Sequence, residues 1–456
     1  MMKVGGAGGA GGVASRLTTT ATGRTVGRFC ARRGGAAHQQ RRSYHPYPWS
    51  VPPFSLDLEL QELKQAREHL EQERYHKAIT PLERSLQILE PALGKEHPSV
   101  KECHAQLALA FASTGDKARG ERHLSRWPAN NKDIAALDRH FVFYRNLGDH
   151  QKALSYAQQA LEQCEKRFSS APYSEDEQQR TRARYWSDIG TMMLMLDRKK
   201  EGETLLEKGL ALFSDPSSTN DNDPLNALIH GGLLNNIALV HYLLHNDSKG
   251  QQLFQQSIST YKQHLPSSNK QQNNNSKEEA SIETRALQRE LMGGLYNLAH
   301  ALSHHNQQYD AEDTLNEALK LADAKLGETH PSIALFLALL GRVYARSNRP
   351  LYAEGIWKKG LMLLSSSSSS SALEQHNSLL LSPALRRVRE EMVNDYAMLL
   401  KQMGRSQLAE ELQQKYASPA TKKEDVLREK EGFFPLHVHW HPFLALPSAS
   451  ASPPSL

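Results

Sequence analysis

The chain has 456 residues, with 55 Lys and Arg, 50 Asp and Glu, and a formal net charge of +5. No run approaches 18 uninterrupted apolar residues, so the sequence predicts no transmembrane helix. The three cysteines, Cys30, Cys103 and Cys164, have no C-x-x-C spacing, which argues against a disulfide framework and a thiolate zinc site. We therefore interpret Cys103 and Cys164 as structural thiols within helices.

The first 50 residues contain eight Lys or Arg and no acid, and they are rich in Gly, Ala, Ser and Thr. This composition is typical of an organelle transit peptide. The sequence Arg-Ser-Tyr at 42–44 resembles the Arg-x-Tyr cleavage pattern of mitochondrial presequences. We expect a presequence over 1–44 and a Pro-rich linker over 45–56. A basic arm for nucleic acid is the alternative, but removing its eight charges leaves the remaining chain at −3.

Two copies of one helical pattern lie between residues 292 and 364. In each copy, small or apolar residues recur at offsets of 0, +3, +4, +7, +16, +20 and +23. The two sets are Leu295, Leu298, Ala299, Leu302, Ala311, Leu315, Ala318 and Leu337, Leu340, Gly341, Tyr344, Ala353, Trp357, Gly360. The first four offsets line one face of a helix. The pattern resembles the tetratricopeptide (TPR) repeat, whose helix hairpins bury their apolar faces by stacking.

Two linkers between repeats are nearly identical, LGKEHPSV at 93–100 and LGETHPSI at 326–333. In each, a Gly suited to a helix C-cap is followed by a Pro that cannot continue the helix. The small residues at the helix crossings on either side, here called anchors, are 42 residues apart in both cases. This linker and this period resemble the kinesin-light-chain type of TPR protein.

Extending the register predicts an all-α TPR superhelical solenoid of about eight helix-turn-helix repeats over 57–416. The anchors are residues 66, 108, 141, 190, 238, 299, 341 and 397. Polar stretches predict long loops between repeats near 169–179, 214–224, 266–280 and 365–378. The tail over 417–456 is expected to be partly disordered.

The resemblance implies a concave groove lined by the first helix of each repeat. Positions beside the anchors carry polar residues there, namely Asn235, Asn236, Asn297, His300, Arg342 and Asn394. The N-N-x-A form at 235–238 resembles kinesin light chain, whose groove asparagines hold an extended peptide. An Asn amide can donate to a backbone carbonyl and accept from a backbone N–H. The alternative is that these asparagines solvate an exposed face or bond backbone groups between helices.

Motifs that would indicate catalysis are absent from the sequence. It contains no G-x-S-x-G, no G-x-x-x-x-G-K-[ST] and no dinucleotide-binding fingerprint, so we predict no enzyme and no cofactor. His437, His439 and His441 alternate in the tail and would lie on one side of a strand, as zinc ligands could. No carboxylate or Cys lies nearby, so a docking or disordered tail is the preferred interpretation and no metal is predicted.

Together these features predict a mitochondrial TPR scaffold or adaptor, in the matrix or associated with the inner membrane, that binds protein or peptide partners. It looks like the TPR factors of respiratory complex III assembly and of inner-membrane AAA protease quality control. Those relatives carry a membrane anchor, and with none evident we expect at most peripheral membrane contact. The alternative is an organelle RNA-binding helical repeat. Such proteins need repeats of nearly constant length, whereas these anchors are spaced by 33 to 61 residues. The uneven spacing favours a partner other than nucleic acid.

A fusion of residues 1–53 to a fluorescent reporter should localise to mitochondria, because the segment combines basic charge with an absence of acids. Microscopy against a mitochondrial marker measures this. A control fusion with Arg16, Arg24 and Arg28 changed to Glu should stay outside mitochondria. A diffuse or nuclear signal from the unaltered fusion would rule out targeting by this segment.

Overall fold

The computed structural model describes residues 60–71, 74–129, 133–170, 173–213, 223–265, 282–365 and 383–416. Within these ranges the chain forms sixteen α-helices and no strand. The expected presequence, Pro-rich linker and histidine-containing tail lie outside the described residues, as does most of three of the four expected loops.

The sixteen helices pair into eight consecutive hairpins, which confirms the predicted all-α solenoid. The first helices are α1 (Gln61–Glu71), α3 (Pro98–Thr114), α5 (Ile134–Asn146), α7 (Glu175–Met195), α9 (Pro224–Leu243), α11 (Ile282–His304), α13 (Ile333–Arg346) and α15 (Pro383–Gln402). The second helices are α2 (Tyr75–Leu93), α4 (Lys117–Leu124), α6 (His150–Phe168), α8 (Lys199–Ala211), α10 (Asp247–His264), α12 (Gln308–Leu326), α14 (Pro350–Ser365) and α16 (Ser406–Tyr416). Of these described helices, none is both long and apolar enough to span a lipid bilayer.

Each hairpin from the second to the eighth turns through one residue in the left-handed backbone region, with φ between 55° and 83°. In each of these seven repeats the residue lies seven positions after the anchor, although its type varies. The seven residues are Gly115, Gly148, Asp197, His245, Asn306, Asn348 and Gly404. Gly, Asn and Asp tolerate this conformation better than most residues. The constant offset confirms that the anchors are equivalent positions despite their uneven spacing.

The two L-G-x-x-H-P linkers share one geometry. Their glycines have φ of 85° and 83°, which ends the preceding helix in a conformation that suits glycine. The imidazole Nδ1 of His97 then accepts a hydrogen bond from the backbone N–H of Ser99 at 3.3 Å, and His330 does the same for Ser332 at 3.2 Å. These histidines therefore satisfy an N–H group that the helix start leaves without an intrahelical partner.

The anchor of the seventh repeat shows why small residues recur there. The Trp357 indole lies directly on Gly341 and donates its Nε1–H to the carbonyl oxygen of Ala338 at 3.1 Å. A Cβ atom at position 341 would overlap the indole ring. The missing side chain therefore lets α13 and α14 approach with the tryptophan fully buried between them.

Neighbouring repeats contact each other from first helix to first helix, as α7 does with α9 and α9 with α11. Most second helices also contact the next first helix, as α10 does with α11. Because the first helices touch directly, they form the inner layer of the stack. The apolar core consists of three clusters. Helix α3 contributes residues to the first and second of them, and α7 to the second and third.

One expected loop is shorter than predicted. The polar stretch 169–179 was expected to be a spacer throughout, but α7 begins at Glu175. The hydroxyl of Ser174 accepts a hydrogen bond from the N–H of Glu177 at 3.3 Å, which caps the helix. The first turn is entirely acidic, which the positive end of the helix dipole stabilises. Polar composition alone did not distinguish this capped helix start from a loop.

Replacing Gly341 with Ala should lower the free energy of unfolding by about 1–3 kcal/mol, because overpacking a close helix crossing forces the indole or the backbone to move. Gly355→Ala is the matched control, since a Cβ at this exposed helical position meets nothing within 4 Å. That control should raise stability by about 0.5–1 kcal/mol through helix propensity. Chemical denaturation of both variants measures the contrast. Equal midpoints would contradict the close crossing.

Candidate peptide-binding groove

The six candidate residues all lie on first helices, in the inner layer. They divide as Asn235 and Asn236 on α9, Asn297 and His300 on α11, Arg342 on α13 and Asn394 on α15. The structure therefore places them on the same layer across four consecutive repeats. It does not bring all six into one contiguous site, because they differ in exposure and in bonding.

Three of the asparagines are buried and bonded to other side chains. Asn297 donates its Nδ2–H to Oδ1 of Asn235 at 2.9 Å, and Asn236 donates to Oγ1 of Thr191 at 3.0 Å and to Oγ of Ser187 at 3.3 Å. These amides link α11 to α9 and α9 to α7. The alternative of an exposed face is wrong for these three asparagines, because all of them are buried. The bonds that they form between helices join side chains rather than backbone groups. Their contact with a peptide stays a prediction.

Comparable side-chain bonds cross every boundary between first helices from α3 to α15, and we call this set the polar ladder. It has six steps. They are Arg139–Glu102 at 3.0 Å, Tyr185–Asp138 at 2.8 Å, Asn236–Thr191 at 3.0 Å, Asn297–Asn235 at 2.9 Å, Arg346–Ser303 at 3.2 Å and Arg342–Glu391 at 2.7 Å. Sequence reasoning found Asn235, Asn236, Asn297 and Arg342 but missed the other members, because no shared motif marks them.

Arg342 is held by two carboxylates of the following repeat. Its Nη2–H donates to Glu391 and its Nε–H donates to Asp395, both on α15. Burial would lower the pKa of Arg342, but Asp395 and Glu391 outweigh it and raise the pKa above its ordinary value. Such forked pairs are among the stronger hydrogen bonds in proteins. Arg342 is therefore first a link between the last two repeats, with about a quarter of its side chain exposed.

The inner layer of the third and fourth repeats buries charge. Arg184 lies 3.2 Å from the carboxylate of Asp138 and 3.7 Å from that of Asp188. Burial raises the pKa of Asp188 to about 6, against the opposing effects of Arg184 and Arg145. Burial also lowers the pKa of Arg145 to about 10. Charges sealed in this way contribute to packing between repeats rather than to an accessible surface.

Exposure changes along the stack at the position one residue after each anchor. Val142, Thr191 and Leu239 are less than a tenth exposed. The equivalent His300 and Arg342 are partly exposed, and Met398 on α15 is 57% exposed. Asn394, one turn before Met398, is also exposed. The inner layer is thus closed through the third to fifth repeats and accessible from the sixth to the eighth.

The two cysteines are not part of this site. Cys103 and Cys164 are free and buried, and burial raises their pKa values to about 12 and about 11. This confirms their interpretation as structural thiols. In the part of the chain that the structure describes, no group of three or more His, Cys, Asp or Glu side chains is placed to hold a metal ion.

No family model matches the chain, and no curated protein matches it. Solved structures similar to it include BtubC (BKLC) from P. vanneervenii, at 14% identity and a TM-score of 0.43, covering 65% of this chain and 97% of that one. The apo form of RapI is 10% identical with a TM-score of 0.40, and the match covers 81% of this chain and 98% of that one. Pseudomonas aeruginosa pilF is 14% identical with a TM-score of 0.32, and the match covers 59% of this chain and 93% of that one. These values are low, so the TPR-type description of the fold rests on the hairpins and anchors themselves.

Asn236→Ala should lower the free energy of unfolding by about 1–3 kcal/mol, because it leaves buried polar groups on α7 and α9 without their partner. Asn394→Ala is the matched control, and as an exposed substitution it should change stability by no more than about 0.5 kcal/mol. Urea denaturation of the two variants measures the difference. If both variants unfold at the wild-type midpoint, the asparagine bonds do not hold the repeats together.

Proposed function

We propose that this protein is a scaffold that binds protein partners along the inner layer of its sixth, seventh and eighth repeats. The exposure gradient at the position after each anchor carries the proposal. Polar and adaptable side chains become accessible here, whereas the equivalent positions in the third to fifth repeats are sealed. An extended peptide segment of a partner is the ligand that such a continuous row on successive parallel helices suits best.

The chemistry of this accessible region supports peptide contact. Partly exposed His300 and Arg342 supply polar groups on a surface whose backbone is held by the ladder. Asn394 can bond both a carbonyl and an N–H of a peptide backbone. Met398 is an unbranched, polarizable side chain of the kind that promiscuous binding surfaces use. A rigid scaffold with a few adaptable side chains loses little entropy on binding.

A mitochondrial location is part of the proposal, and the basic, acid-free N-terminal segment supports it. Within that organelle, the resemblance to TPR assembly factors and protease adaptors favours a role in respiratory-complex assembly or inner-membrane protein quality control. We propose peripheral rather than integral membrane association, and protein rather than nucleic acid as the partner. The charge of −3 outside the first 50 residues favours this choice of partner.

Changing Asn394 and Met398 together to Ala should weaken partner binding at least about tenfold, since loss of roughly 1.4 kcal/mol corresponds to that factor. The full chain would be expressed with its N-terminal segment intact. Partners would be captured from isolated mitochondria by photo-crosslinking from position 401, on the same helix. Quantitative mass spectrometry compares the variant with wild type, and melting curves confirm that both fold.

The matched control changes Leu351 and Tyr352 to Ala on α14. These side chains are 70% and 65% exposed but lie on a second helix, outside the inner layer. This control should retain every partner. Full retention by the Asn394/Met398 variant, with loss in the control, would move the binding surface to the second helices and refute the proposal.

A further inference from the structure

We propose that Tyr242, His300 and Arg346 form a binding site for an oxyanion, the carboxylate or phosphate group of a bound partner. The three residues come from three consecutive first helices, α9, α11 and α13. This inference rests on the proposed function and deepens it, because it names the chemistry that the inner layer recognises at the boundary between its closed and accessible parts.

The Tyr242 hydroxyl is the first observation. The residue is 6% exposed, and its Oη atom is buried without a hydrogen-bond partner among the described residues. Its ring packs edge-on against His304 and His305, with centroid distances of 5.7 and 5.8 Å. Burial, with a smaller effect of Asp247, raises the pKa of Tyr242 above its ordinary value, so the hydroxyl stays protonated and can donate. A buried hydroxyl left without a partner costs about 1–3 kcal/mol, which a ligand oxygen would relieve.

The His300 ring is the second observation. Its Nδ1 atom is buried without a partner in the described chain, although the residue as a whole is partly exposed. Burial, then Arg342 and Arg346, lower the pKa of His300 to about 3. After burial, the largest effects on the pKa of this ring come from positive charge, first Arg342 and Arg346 and then His304. A neutral imidazole in positive potential is a ready hydrogen-bond donor for an anion.

Arg346 supplies the cation. Its Nη1 group donates to the backbone carbonyl and hydroxyl of Ser303 at 3.1 and 3.2 Å, which fixes the guanidinium against α11. No carboxylate of the described residues forms an ion pair with it, and its side chain reaches the surface. Its bonds to Ser303 hold the guanidinium on the same stretch of α11 as His300 and His304, and its charge acts on Tyr242, His300 and His304.

Nearby charges do not replace the proposed ligand. Glu391 and Asp395 are both bonded to Arg342, one helical turn before Arg346. Asp247 lies 3.4 Å from Nε2 of His305. The carboxylates of the surroundings are therefore engaged elsewhere, and the guanidinium has donors left for an oxyanion. Arginine suits carboxylate and phosphate equally, through paired N–H groups.

The test uses the purified full chain and inorganic phosphate or acetate as probes, in chloride buffer of matched ionic strength. We expect saturable shifts of the His300 imidazole resonance, assigned with His300→Gln, and a rise in melting temperature. Phosphate stabilises proteins generally by exclusion from their surface. The informative quantity is therefore the difference between wild type and variants. A response to phosphate alone indicates a phosphorylated partner, and a response to acetate indicates a carboxylate.

Two variants separate binding from folding. Tyr242→Phe removes only a hydroxyl that has no partner, so in chloride buffer it should melt no lower than wild type. Arg346→Gln removes the charge. Both should lose the anion-dependent shift at least tenfold in apparent affinity, whereas Arg122→Gln, an exposed cation on α4, should keep it.

Absence of any saturable response to either anion in wild type would overturn the site. So would a Tyr242→Phe protein that melts lower in chloride, because the hydroxyl would then have a structural partner. Neither variant alters Asn394 or Met398, so failure of the oxyanion site is distinguishable from failure of partner binding at the eighth repeat.

Discussion

Contact between the first helices of successive repeats is the constraint on which the rest of this structure depends. A solenoid has no contacts between distant parts of its sequence, so each repeat is positioned by its neighbours alone. Apolar packing at the anchors brings the helices together but does not fix how they slide. The polar ladder supplies directional bonds at each boundary from α3 to α15. Buried polar groups must be paired to avoid a large cost. We infer that the ladder selects one register for each interface, with the chemistry changing from ion pairs to amides and back.

The same requirement decides where the protein is accessible. In the third to fifth repeats, side chains of the inner layer bond across the boundaries between first helices, and Thr191 and Leu239 are sealed among them. From the sixth repeat onward, the position after each anchor is accessible. Tyr242 and His300 each bury an atom without a partner at this transition. The same row of residues therefore contains groups that hold the repeats together and groups that can bind a ligand. A residue that bonds within the protein belongs to the first kind, and one that does not is left for a ligand.

The sequence was sufficient for the repeat architecture because its signals are local. Anchor spacing follows the helical period, and a left-handed turn residue follows seven positions later in seven of the eight repeats. The burial of Asn235, Asn236 and Asn297 could not be predicted, because it depends on how closely neighbouring repeats approach. The helical period of the sequence is the same whether neighbouring repeats pack closely or leave their inner layer accessible. His97 and His330 illustrate the intermediate case. Their motif was recognised, but their role as helix caps is a property of the backbone geometry after the glycine.

Arg342 and Arg346 show how one helical turn can separate the two roles. Both lie on α13 and point toward neighbouring first helices, as their bonds to α15 and α11 show. Opposite Arg342, α15 offers Glu391 and Asp395 at the spacing of one turn, so the arginine is neutralised within the protein. The following turn of α15 carries Met398 and Leu399, which have no acceptor. Arg346 therefore forms no ion pair with a carboxylate of the described residues, although the charge of Asp395 still acts on it. The acids of the next first helix, rather than the arginine itself, determine whether a cation in this layer supports the stack or remains available to a ligand.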